Sequence, residues 1–320
     1  MAGHQNNPQD IPRSSILPGP LKMFVKILDD GRDPATSSNP EGSEKHLPSD
    51  NLASGMWALH RMLMHMLLSL DQVSRENGLR YFLTYGTLIG AVRERSLIDW
   101  DVDVDVFVPV DDYAALCDAL QKQLPDDLSL YSPHSGHGYE NTFARIGFRE
   151  VDHKMLRIDL YPLGRGPESL AAQFLYSSLT KTLNLAYMLK LVPLQQKIHY
   201  GFRKRVVARI AKVLLAPIPA KLMLSAIEYI RNREYAGNTL ADSCGWFGRR
   251  QFFDEEWFRS STMVGMGSGK FPAPEGFDHF LRLTYGDYMT PPPADQQEDE
   301  FRIADQYYLK PLRQIGILDA

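Results

Sequence analysis

The chain has 320 residues, of which 44% are apolar and 23% charged, with two cysteines. That composition suits one large or two small globular domains with a proper core. It excludes a disordered, collagen-like, coiled-coil or disulfide-stapled chain and points to a reducing compartment. The net charge of −4 hides a segregation: residues 169–227 hold nine Lys and Arg and no Asp or Glu, so they carry +9 and the remainder −13. A separation of this size implies an anionic partner.

Residues 1–48 are rich in Pro, Gly, Ser and Asn and read as a loose leader with one apolar patch, Leu21–Leu28. The opening MAGHQNNPQDIPRSS lacks the charged start and apolar run of a signal peptide. No run of about 18 uncharged apolar residues occurs, so no spanning helix is expected and a cytoplasmic protein is. A helix is predicted from Ser49 or Asp50 to just before Gly78, because Leu52, Met56, Leu59, Leu63, Met66, Leu67, Leu70 and Val73 recur at helical spacing. Its methionines are assigned to core packing.

Arg80–Tyr85 is predicted as a strand, followed by Gly86-Thr87 and a short helical run, Leu88–Arg93. Asp101–Val108 (DVDVDVFV) is a period-two strand; a helix through Tyr113, Leu116, Cys117 and Leu120 and strands at Phe143–Phe148 and Met155–Leu160 follow. This order predicts an α/β (α+β) core over residues 49–165, with a mixed sheet and flanking helices. Residues 166–320 read as a mostly helical region completing the same domain, broken at Pro193, Pro217 and Pro219. A short helix at Asp278–Tyr285 and a last one at Asp299–Ile315 are expected there. Met263–Phe271 (MVGMGSGKF) lacks the Ser/Thr and the glycine spacing of a phosphate-binding P-loop and is rejected as one.

The alternation of Asp101, Asp103 and Asp105 with Val102, Val104 and Val106 puts three carboxylates on one strand face and the valines on the core face. Three anions at that spacing repel one another, and a divalent cation is the economical compensation, since Mg²⁺ is commonly held by one or two carboxylates plus substrate phosphates. The alternative is a solvated, charged edge strand. Gly86 lets backbone approach a ligand, Thr87 offers a hydroxyl, and the following helix start offers N–H groups to an anion. Gly-Thr followed 16 and 18 residues later by Asp-x-Asp is the nucleotidyltransferase arrangement, a phosphate loop facing a metal-binding strand. Asp159, between Ile158 and Leu160, is the candidate third carboxylate; its alternative is an ion pair with Arg157 or Arg145.

Tyr81–Val108 resembles the signature of the LicD family: Tyr85–Arg93 match almost residue for residue, and Trp100, Asp101, Asp103 and Asp105 fall on its W-D-x-D-x-D positions. Ile158–Pro162 (IDLYP) and Phe271–Pro293, with its YGDYM, are similar to later family motifs in the same order. Val102 and Ser96–Asp99 depart from the pattern, on the core face and in a loop. The resemblance implies a nucleotidyltransferase-like fold. It also implies transfer of a phospho-alcohol, such as phosphocholine, from a CDP-activated donor to a hydroxyl of a cell-surface or lipid-linked glycan, for example lipopolysaccharide or teichoic acid.

On this reading Asp103, Asp105 and Asp159 bind Mg²⁺ or Mn²⁺ and carry the catalysis, and Asp159 also helps deprotonate the acceptor. Gly86, Thr87, Arg93 and Arg145 face the donor. Arg93 has a salt bridge to Asp101 as its alternative role, Asp101 divides between outer ligand and structural support, and the role of Asp287 is open. Residues 169–227 divide between a solvated helical face and contact with an anionic membrane, which would place the protein peripherally at the inner membrane face; no nucleic-acid partner is expected. Two other classes remain: a true nucleotidyltransferase releasing pyrophosphate, and a non-catalytic membrane-associated binding protein.

Overall fold

The computed structural model describes residues 50–135, 139–192, 202–244 and 247–318, without the side chains of 202–205. The expected leader 1–48 and its patch Leu21–Leu28 lie outside the described residues, as do Pro193 and Lys197.

Helix α1 (Asp50–Glu76) buries Met56, Leu59, Met62, Leu63, Met66, Leu67, Leu70 and Val73, the stripe its spacing predicts, so its methionines do pack the core. Strand β1 is only Phe82–Leu83. Helix α2 (Tyr85–Ile89) runs on as a π-turn, Gly90–Glu94. A Cβ at Gly90 would stand 2.5 Å from the Ser96 carbonyl oxygen, so the returning loop packs there only on glycine.

Strand β2 (Val104–Pro109) starts later than Asp101. The Val102 N–H donates to the Asp101 carboxylate (3.0 Å) and the Asp101 N–H to the Ile98 carbonyl (2.8 Å), so Asp101–Asp103 form a loop leading into the strand. Helix α3 (Val110–Gln123) follows, then β3 (Leu128–Tyr131), β4 (Ala144–Phe148) and β5 (Arg157–Arg165). The main sheet runs β1-β2-β5-β4-β3. β5 is parallel to β2 and antiparallel to β4, and its far end pairs with β6 (Thr239–Asp242), which pairs with β7 (Phe252–Asp254).

The register gives the sheet two unlike faces. Val104, Val106, Ile146, Ile158 and Leu160 point one way and are fully buried against α1 and α3. Asp105, Arg145, Asp159 and Tyr161 point the other way, beside Phe107.

Helices α4 (Leu170–Leu191), α5 (Phe202–Leu215) and α6 (Ala220–Arg231) build a small separate core around Tyr187, Met223, Leu224 and Ile227. The region after Pro167 is mostly helical, as expected, yet it also supplies β6, β7 and a hairpin of β8 (Ser261–Met266) and β9 (Gly269–Pro274). The rejected P-loop stretch lies in that hairpin. These strands are three to six residues long, and β6 takes its partner β5 from far along the chain, so the sequence reading does not find them. Helices α7 (Phe277–Tyr285), α8 (Ala294–Ala304) and α9 (Lys310–Gln314) close the chain, and the main core draws on residues from Met56 to Leu318.

Phe280 of α7 is fully buried and packs on Phe107 (5.9 Å between centroids) and Phe253 (5.0 Å). Phe280→Ala should therefore cost about 3–5 kcal/mol in urea unfolding, whereas Leu283→Ala, on an exposed part of the same helix, should cost within about 0.5 kcal/mol. Equal small losses would show that α7 is not packed on the sheet.

Candidate active site

The three carboxylates predicted as ligands converge although Asp159 is distant in sequence. Parallel pairing sets Asp105 directly beside Asp159, and Asp103 enters from the loop before β2. One oxygen from each of Asp103, Asp105 and Asp159 lies within 4.8 Å of the others. Asp101 borders them: a Cβ at Gly86 would approach its Oδ2 to 3.0 Å, so Gly86 gives this carboxylate room.

Two guanidiniums hold part of this charge. Arg145, opposite Asp159 on β4, donates to both its oxygens, from Nε at 2.5 Å and Nη2 at 3.1 Å, and both side chains are buried. Arg157 donates to Asp103 and reaches Asp159 at 3.4 Å. Burial opposes the charge on Arg157, but Asp103 and Asp159 outweigh it and hold its pKa above the usual value. The ion-pair alternative considered for Asp159 is thus realised with both arginines, inside the cluster itself.

Four carboxylates against two guanidiniums leave two formal negative charges. Burial, then Asp103, raises the pKa of Asp101; burial, then Asp103 and Asp159, does the same to Asp105. Asp105 is also the ligand candidate whose carboxylate no guanidinium hydrogen-bonds among the described residues. A hard divalent cation fits this all-oxygen donor set and balances its charge.

The remaining predicted residues take distinct places. Thr87 is buried, and its Oγ1 accepts the Asp105 N–H at 2.9 Å, locking the start of α2 to the strand that carries Asp105. Arg93 does not reach Asp101: it pairs with Glu94 (2.8 Å) and donates to the Tyr288 carbonyl (3.0 Å). It thereby ties the π-turn to the motif after α7. Asp287 accepts from Thr290 at 2.7 Å in the turn that follows α7.

Several site residues carry no site role in the sequence reading, which assigns His60, one of them, to solvation or core packing. Tyr161 lies on the Asp159 face of β5, and Tyr285 sits at the end of α7. Burial first, then the neighbouring carboxylates, raises both phenol pKa values. The alternation Arg157-x-Asp159-x-Tyr161 is the signal that could have found the first of them. His60 contacts the Asp101 carbonyl at 2.8 Å from α1. Tyr85 adopts a left-handed φ of 49°, a strained backbone for a bulky residue. Its hydroxyl donates to buried Asp242 of β6 at 2.7 Å, and its ring stacks on Phe247.

The LicD/FKTN/FKRP nucleotidyltransferase domain matches residues 78–182, a span that contains Asp101, Asp103, Asp105 and Asp159. Residues 78–182 are a LicD-family domain. The lipopolysaccharide cholinephosphotransferase LicD of Haemophilus influenzae is 24% identical over 249 residues, which cover 72% of this chain and 91% of that protein. That span is longer than the matched domain, so the similarity extends beyond residues 78–182.

Asp242 makes a pH test of the Tyr85 anchor. Burial raises its pKa from 3.8 to about 6, against the Tyr85 and Cys244 hydrogen bonds. A carboxyl raised in the folded state contributes stability that is complete below about pH 4 and is lost as pH rises through about 6, in all about 3 kcal/mol. Asp242→Asn can still accept the Cys244 N–H at Oδ1 and can donate from Nδ2 to the Tyr85 hydroxyl oxygen, and it removes the titration. Its stability relative to the unsubstituted protein should rise between about pH 4 and 7 in urea unfolding; a pH-independent difference would contradict the assignment.

Proposed function

We propose that the protein transfers a phospho-alcohol of the phosphocholine type from a CDP-activated donor to a hydroxyl of a cell-surface or lipid-linked glycan, with Mg²⁺ or Mn²⁺ held by Asp103, Asp105 and Asp159. The observation that carries this is the convergence of those three carboxylates, within 4.8 Å, beside the turn at Gly86 in a LicD-family domain. The relative named as a cholinephosphotransferase supports the alcohol.

Bound there, the ion would neutralise the donor's diphosphate and act as a Lewis acid on the transferred phosphoryl group. The protein's part is positioning and charge. Arg157, shared between Asp103 and Asp159, is placed to turn from a carboxylate to a donor phosphate oxygen. Arg145, bonded to both oxygens of Asp159, fixes that carboxylate in place. Because Arg145 covers both oxygens of Asp159, the acceptor's proton passes more readily to Asp105. Tyr161 and Tyr285 can donate hydrogen bonds to phosphate or sugar oxygens. The region 166–320 completes the domain and reads the acceptor.

Metal binding has a readout free of turnover. Mn²⁺ at a hundredfold over its Kd should stabilise the folded protein by about 2.7 kcal/mol in urea unfolding, and Asp105→Asn should abolish the effect. Identical curves with and without Mn²⁺ would remove the metal from the account.

Activity is tested by incubating the protein and Mn²⁺ with a panel of CDP-alcohols and a glycan acceptor and measuring CMP. One donor should release CMP, and Asp103→Asn and Asp105→Asn should each lower the rate by about a hundredfold or more. Pyrophosphate release from a nucleoside triphosphate instead would establish nucleotide transfer.

A further inference from the structure

We infer that the elbow between α5 and α6 is a membrane-docking element that inserts apolar side chains into an anionic bilayer surface. The helices meet at 89° across the Ala216–Pro219 break, and none of the described helices is long and apolar enough to cross a membrane alone. Pro217 and Pro219 stop α5 and start α6, so the chain must turn there.

The elbow is apolar where a soluble surface should be polar. Val213 (72% exposed), Leu214 (69%) and Leu222 (62%) stand out from it, with Ile218 between them. Val207 and Ile210 extend the exposed stripe along α5 at i, i+3 and i+7 to Leu214. Neighbouring apolar side chains this open mark an interaction surface.

Charge identifies the occupant. Exposed Arg209 and Lys221 flank the apolar residues, and no Asp or Glu occurs from 169 to 227. A second copy packed symmetrically on the elbow would bring like charges face to face. An anionic bilayer accepts both components, taking the side chains at the acyl boundary and the cations at the headgroups. Lys190 is set aside for structure, since its Nζ donates to the carbonyls of Leu215 (3.0 Å) and Ala216 (3.1 Å) and holds the end of α5.

The element is coupled to the carboxylate site. β5, which carries Asp159, leads through a short link into α4, and α4 packs on α5 and α6. At the far end of α6, buried Arg231 donates to the Thr142 carbonyl (2.8 Å) just before β4. Docking would hold the domain at the surface where a lipid-linked acceptor resides, but the inference does not depend on the chemistry at the carboxylates.

The test is co-sedimentation of the full chain with phosphatidylcholine vesicles, with and without phosphatidylglycerol, at low and high salt. The protein should pellet with phosphatidylglycerol vesicles and be partly released by salt. Leu214→Asp with Leu222→Asp, and separately Arg209→Glu with Lys221→Glu, should each weaken binding roughly tenfold or more while leaving the thermal midpoint and Mn²⁺ binding unchanged. No pelleting on anionic vesicles at low salt, or binding indifferent to both variants, would overturn the inference. So would a dimer that Leu214→Asp splits in a protein that ignores vesicles, which would give the elbow to a second copy.

Discussion

Two arginines cannot balance four carboxylates, and the site is arranged around that deficit. Asp101, Asp103, Asp105 and Asp159 are brought together by a parallel strand pair and the loop before it, while Arg145 and Arg157 supply only half of the opposing charge. The protein accepts this repulsion because the opposite side of the same strands, Val104, Val106, Ile158 and Leu160, is buried against helices. Apolar burial on one face holds charges on the other closer than they would choose.

Strand β5 is where these demands meet. Its alternate residues serve the core and the site, its first half is enclosed by β2 and β4, and its last residues bring in β6. Through β6 comes Asp242, the partner of Tyr85, so the start of α2, where Gly86 lies, is held from a distant part of the chain. Phe280 and Tyr285 of α7 come to the same face, and the Tyr288 carbonyl holds Arg93. The motifs that lie far apart in sequence are thus successive sides of one pocket of charge.

How much of this was legible follows from the distance over which each feature is decided. The stripe of α1 and the alternation of Val104, Asp105 and Val106 are set by local periodicity, and the structure keeps both, whereas Asp103 joins Asp105 from the loop before the strand. Asp159 stood out because an acid between two apolar strand residues needs a partner. The bond between Tyr85 and Asp242 joins residues 157 apart, and nothing in either neighbourhood announces the other. Arg93 and Arg157 each had carboxylates within reach, and only the fold decides which they meet. Asp101 left the strand because its own carboxylate took the next N–H, a local competition that a period-two pattern does not register.

The central claim is that Asp103, Asp105 and Asp159 together hold a divalent ion, and anomalous scattering from crystals of the protein grown with Mn²⁺ tests it most directly. The account predicts one strong peak bounded by those three carboxylates, with Arg157 moved away from Asp103 or Asp159. A cluster without a peak, and Arg157 still bridging the two aspartates in saturating Mn²⁺, would contradict it.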